Sequence, residues 1–117
     1  NEREHALLHS AMHVDEGASY LGEVALVPFH CPISDMGILF YNTLFDENAS
    51  CHLAFGKAYP TCVTGGSEMN PDELKMHGIN DSIAHEDFMI GTSDLSITGI
   101  TADGTEVVIF ERGDFAF

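Results

Sequence analysis

The sequence predicts an α+β fold, with a mixed, substantially antiparallel sheet and a few flanking helices. Three observations predict it. The last third of the chain holds three strand-like apolar runs, and the turn signal Asp103-Gly104 separates the last two. The chain opens on good helix formers, and a second helix start stands at Asn70-Pro71-Asp72-Glu73. No repeat, low-complexity run or internal linker interrupts the 117 residues.

Each element follows from local pattern. Residues 2–13 carry Ala6, Leu7 and Met12 with no helix breaker, and Asp15-Glu16-Gly17 ends them, Gly17 as a left-handed terminator. YLGEVALVP, residues 20–28, reads as a strand that is apolar on both faces apart from Glu23. Pro28 and Pro32 punctuate a loop over 30–37, residues 38–45 (ILFYNTLF) fit no single element, and 46–50 form a short helical turn. CHLAFGKAY, residues 51–59, is a strand and its exit, and 60–69 is a Gly/Thr/Ser-rich loop. Asn70 as N-cap, Pro71 at the first helical position and Glu73 at the third start a short helix that stops by Gly78. Residues 85–91, 95–101 and 105–113 are strands.

Composition narrows the partners. Four Lys+Arg against 19 Asp+Glu leave a formal charge of −15, a field that repels phosphate backbones and anionic lipid, so no nucleic acid and no membrane partner is expected. The same field suits a cationic group such as a free peptide amine. No run reaches the ~18 apolar residues of a membrane span, and the opening NEREH is no signal peptide. Lacking an initiator Met, the chain opens directly on a helix, as a piece cut from a longer protein does. Cys31, Cys51 and Cys62 are odd in number without a C-x-x-C pair, which fits a reducing compartment; they read as small buried side chains in preference to a nucleophile.

Glu23 is the first chemically odd residue. Mid-strand, it shares a face with Leu21 and Ala25, and burying a bare carboxylate costs several kcal/mol unless it is paired, protonated or metal-bound. Only Arg3, Lys57, Lys75 and Arg112 are present to pair it. It is either an edge-strand carboxylate facing water or a ligand. His85 and Asp87, at i and i+2 of a strand, project from one face and make half of a borderline divalent-metal site, although H-x-D is common by chance. His52, among Leu53, Ala54 and Phe55, is a satisfied core histidine or a ligand. Glu47 and Tyr59 reach a site centred on His52 only if the preceding turn and the strand exit fold back over it. His5, His9 and His13 form one helical ridge without the H-E-x-x-H pattern and read as a solvated or interface face. Gly65-Gly66 lacks the Lys-Ser/Thr of a phosphate loop, and no G-x-S-x-G occurs.

Taken in order, DEGASYLGEVALVP, NTLFDENASCHLAFGKAY and IAHEDFMIG resemble the successive signature segments of the thermophilic-type metallo-aminopeptidases, the family of aminopeptidase T, aminopeptidase S and PepS. The resemblance runs over essentially the whole chain. It implies a dinuclear site of two divalent metal ions (Zn, Co, Mn or Mg), with the bridging carboxylate at Glu23, a central histidine at His52 and the later His-x-Asp pair at His85 and Asp87. It places the family's tyrosine at Tyr59 and makes Glu47 a candidate for proton transfer. It further implies a peptide substrate, a cytoplasmic homodimer at full length and a fragment of a larger two-domain protein, the N-terminal domain being absent. The family has one more metal-binding Glu well upstream of the bridging one, which no residue here matches. The expectation is therefore a C-terminal catalytic segment that is inactive alone. The rival reading is a non-enzymatic acidic α+β module whose carboxylates only solvate it or bind cations for structure.

Overall fold

The structure, a computed structural model, describes all 117 residues. In chain order it forms helix α1 (Glu2–Ala11), strand β1 (Leu21–Ala25), helices α2 (Pro32–Asp35) and α3 (Thr43–Glu47), strand β2 (His52–Gly56), helix α4 (Pro71–Met76) and strands β3 (His85–Met89), β4 (Ile97–Ile100), β5 (Glu106–Glu111) and β6 (Asp114–Phe115). Strands pair in the order β1-β2-β3 in one sheet and β4-β5-β6 in a second. The α+β class is as predicted, with two small antiparallel sheets in place of one. By internal contacts the chain divides into two compact units, Asn1–Val24 with Leu53–Asp87 and Ala25–His52 with Phe88–Phe117.

In the first unit, α1 is started by Asn1, whose side chain accepts from the Glu4 backbone N–H at 2.8 Å in a capping box. The helix ends at Ala11, short of residue 13, and Met12 closes it in a right-handed conformation. Gly17 is not the left-handed terminator expected. It begins a 3-10 turn, Gly17–Ser19, and it must be glycine for closeness, because a Cβ there would overlap the carbonyl oxygen of Asp81. The α4 start is as read from sequence: Asn70 accepts from the backbone N–H groups of Asp72 and Glu73, and Glu73 returns a bond to the Asn70 N–H. The loop over 60–69 holds two further 3-10 turns. Main-chain bonds from Gly56 to the Tyr20 carbonyl and from Lys57 to the Ala84 carbonyl, each 2.8 Å, run antiparallel.

In the second unit the loop expected over 30–37 contains α2. Pro32 opens that helix at its first position, where its missing N–H costs nothing. The helical turn expected at 46–50 lies earlier, as α3. Asp46 reaches back to the N–H groups of Phe40 and Asn42 and holds Tyr41 at φ 55°. Asp103-Gly104 makes its turn, with Gly104 at φ 84° and Thr101 bonded to Thr105. Asp103 is drawn down to about 2 by the Thr101 hydroxyl and then the Thr105 N–H. The final strand does not run to Gly113: Arg112 and Gly113 both take positive φ and turn the chain into β6, pairing Phe110 with Phe115. Phe110 and Cys51 are the deeply buried apolar side chains of this unit. No helix of the chain is long and apolar enough to cross a membrane.

Candidate metal centre

His85 opens β3, and its Nδ1 lies 2.8 Å from the Lys57 carbonyl oxygen. A carbonyl only accepts, so Nδ1 carries a proton, and in the neutral ring Nε2 presents a lone pair. That lone pair faces two carboxylates: Glu23 Oε2 at 3.4 Å and Asp87 Oδ1 at 3.4 Å. The shared face of His85 and Asp87 is what their i, i+2 spacing predicts. All three side chains are a quarter exposed or less, and Asp87 Oδ1 is buried without any hydrogen bond. Acceptor atoms gathered this way repel one another in a medium of low dielectric, and a cation among them reverses the sign of every contact.

His52, the first residue of β2, is 2% exposed. Its Nδ1 lies 3.0 Å from the Ser50 carbonyl oxygen, so the same reasoning leaves Nε2 as the lone-pair nitrogen. Glu23, His52 and Asp87 each offer a ligand atom, and those atoms lie within 4.8 Å of one another. Imidazole nitrogen with carboxylate oxygen is a donor set for divalent ions of borderline hardness, and the orphaned Asp87 oxygen is an acceptor that such an ion would satisfy. The residues fit a metal.

The half-exposed Tyr59 ring is centred 5.4 Å from that of His85. Glu47 ends α3 in the second unit. The histidine ridge stands apart, with His9 and His13 stacked at 4.1 Å on exposed side chains. Of the cysteines, Cys51 is the buried one expected, bonded at 3.3 Å to both polar groups of the Val27 backbone, whereas Cys62 is exposed and Cys31 intermediate. What sequence reasoning missed are the contributions of Lys57 and Ser50. They act through main-chain carbonyls, and no residue type marks such a role.

Residues 1–115 match the family described as thermophilic metalloprotease (M29). Aminopeptidase AmpS of Bacillus subtilis (strain 168) is 55% identical over 116 residues, 99% of this chain and 28% of that protein. Aminopeptidase T of Thermus aquaticus is 43% identical over 112 residues, 96% of this chain and 27% of that protein. Among solved structures, wild-type AmpT from Thermus thermophilus matches with a TM-score of 0.83 at 38% identity, covering 99% of this chain and 28% of that one. The chain thus spans little more than a quarter of the length of these relatives.

Proposed function

The chain belongs to the M29 family of thermophilic metalloproteases, and we propose that it carries the metal-binding part of an aminopeptidase that releases N-terminal residues from peptides. The observation that supports this reading most directly is the meeting of Glu23 and Asp87 with the Nε2 of His85, each at 3.4 Å, the Asp87 oxygen being buried without a hydrogen bond. Relatives named aminopeptidases lend it a reaction. In this reading Glu23, His52, His85 and Asp87 would hold two divalent ions, Zn, Co, Mn or Mg. When bound, the ions supply Lewis-acid polarisation of the scissile carbonyl and a water acidic enough to attack near neutral pH.

The chain's own residues do the rest. The two imidazoles present Nε2 without rearrangement, since main-chain carbonyls hold their other nitrogens. The Tyr59 phenol, beside His85, donates a hydrogen bond to the carbonyl oxygen as it gains charge. Glu47, assigned on the resemblance of NTLFDENA alone, takes a proton from the attacking water and passes it to the leaving amine. The charge of −15 draws the substrate's cationic end.

This activity belongs to the whole protein, of which the chain is a C-terminal catalytic segment inactive alone. We place that protein in the cytoplasm as a homodimer, a reading the free cysteines support for the compartment. The test is hydrolysis of an aminoacyl anilide by the full-length protein, before and after exhaustive chelation and on readdition of each metal. Turnover that survives complete metal removal sinks the reading.

A further inference from the structure

Asp15 ties together two segments far apart in sequence, each of which leads into a strand of the metal centre. One carboxylate oxygen accepts the Ala18 backbone N–H at 2.8 Å and the Ser82 hydroxyl at 2.9 Å. The other accepts the Ile83 backbone N–H at 2.7 Å and lies 3.1 Å from the same hydroxyl. Ser82 is buried, and its hydroxyl oxygen in turn accepts the Ala84 N–H at 3.0 Å. Residues 82–84 are thus held one after another, either by Asp15 or by the hydroxyl it orients, up to the residue before His85. On the other side, the Ala18 bond closes the turn from which the chain runs into β1 and to Glu23. Asn80 braces the same place, its amide donating to the carbonyls of Gly17 at 2.8 Å and Gly56 at 2.6 Å.

We propose that Asp15 is a positioning residue for the metal centre, holding the entrances of β1 and β3 together so that Glu23 and His85 meet. The inference rests on the metal-binding reading above. Residues 81–84 lie in no helix or strand, so these bonds, with the one from the Lys57 N–H to the Ala84 carbonyl, set their place. Metal geometry tolerates displacements of only about 0.5 Å, and a hinge that slackens three residues before a ligand moves it by more than that. The carboxylate is well suited to the task. The Ile83 N–H above all, and then the Ser82 hydroxyl and the Ala18 N–H, hold Asp15 below the usual carboxylate range, so it stays an acceptor on both oxygens. The DEG segment, which lies beyond the end of α1, therefore aligns the site.

The experiment titrates Co2+ alone into the metal-stripped full-length protein, following its visible absorption, for wild type, Asp15→Asn, Ser82→Ala, the double variant and Glu23→Gln. Each is studied at a temperature where circular dichroism shows it folded. Asp15→Asn places an amide N–H₂ against N–H and O–H donors, and Co2+ affinity should fall about 10–100-fold, the range for groups that orient metal ligands. Ser82→Ala should lose less, and the double variant no more than Asp15→Asn, because both cut one link. Folded Asp15→Asn with wild-type affinity and absorption overturns the proposal, even if its melting temperature has dropped. If Asp15→Asn does not fold, Ser82→Ala decides: unchanged affinity overturns the proposal, and weakened affinity with an altered spectrum upholds it. Glu23→Gln separates the two readings. Loss of binding there with none in Asp15→Asn sinks only the positioning role, whereas full binding by Glu23→Gln sinks the metal site and this inference with it.

Discussion

Asp87 Oδ1 and His85 Nε2 face each other at 3.4 Å, and in the neutral ring no proton lies between them, because the ring's one proton is donated to the Lys57 carbonyl. An amide in place of that carboxylate would fill the gap with an N–H. Asp87→Asn in the full-length protein should therefore lose Co2+ or Zn2+ affinity by at least about 100-fold, while its metal-free form melts no lower than metal-free wild type. Calorimetry with and without metal reads both quantities. A metal-free variant that melts well below metal-free wild type would show that Asp87 serves the fold and not a cation.

Losing an acceptor nitrogen should differ sharply from losing a decorative one. His52→Ala and His85→Ala should each abolish tight binding of at least one ion and reduce kcat by orders of magnitude, as elemental analysis and anilide hydrolysis would record. Replacing His5, His9 and His13 together by Ala removes exposed, stacked rings and the 2.7 Å bond between the His13 ring and the His9 carbonyl. That triple variant should stay within about 0.5 kcal/mol per site of wild type in stability and retain its activity. Activity lost in the triple variant and kept in His52→Ala would reverse the assignment.

Tyr59→Phe removes one hydroxyl and leaves the ring that lies against His85. Metal content should be unchanged, KM nearly so, and kcat lower by about 10²–10³ if the phenol donates to the developing oxyanion. A fall in metal content with kcat per bound metal preserved would make Tyr59 a ligand or a support for one.

Gly56 is held at φ 97°, and a Cβ on it would overlap the carbonyl oxygen of Ala84. Gly56→Ala should destabilise the fold by more than the ~1–3 kcal/mol of backbone strain alone, because the β2–β3 separation must also widen. Thermal melting checks the first effect, and weakened metal binding in the variant checks the second. Gly37→Ala, where φ is 61° but nothing lies within 4 Å, should show the strain without the widening.

How legible these features were in the sequence depended on how far their causes reach along the chain. The start of α4 is contained in four residues whose side chains bond to one another's backbone, and the Asp103 turn is equally local. Residues 38–45 were opaque because the carboxylate that shapes them, Asp46, comes after them and bonds backwards. The Arg112-Gly113 turn lacked the Asn-Gly or Asp-Gly signal, since Arg takes positive φ there only under the pairing of β5 with β6. In the site, His85 and Asp87 could be paired from period alone. That Glu23 joins them depends on strand order, which no local pattern encodes.

Acid should reach Asp15 late. Its carboxyl titrates below the 3.8 of an unfolded chain, the Ile83 N–H being the largest cause, so the folded state holds fewer protons than the unfolded one. The stability it contributes is complete above that value and is lost as pH falls through the lower, folded one. Asp15→Asn, which cannot titrate, should lie furthest below wild type in melting temperature at pH 5–7, and the gap should narrow steadily below pH 3.8. A gap of constant width from neutral pH to pH 2 would mean that the charge of Asp15 contributes nothing.

Both histidines of the site take their orientation from carbonyl oxygens, those of Lys57 and Ser50. A side-chain carboxylate in that role could be deleted by one base change. A peptide oxygen is present whatever residue the codon specifies. Lys57, which is exposed, is therefore free to drift in sequence so long as the local backbone path is kept, whereas buried Ser50 is held small by its close approach to Gly91. Alignments of related chains should show variable residues at 57 and only small ones at 50, and a search for orienting partners by residue identity would pass over the first.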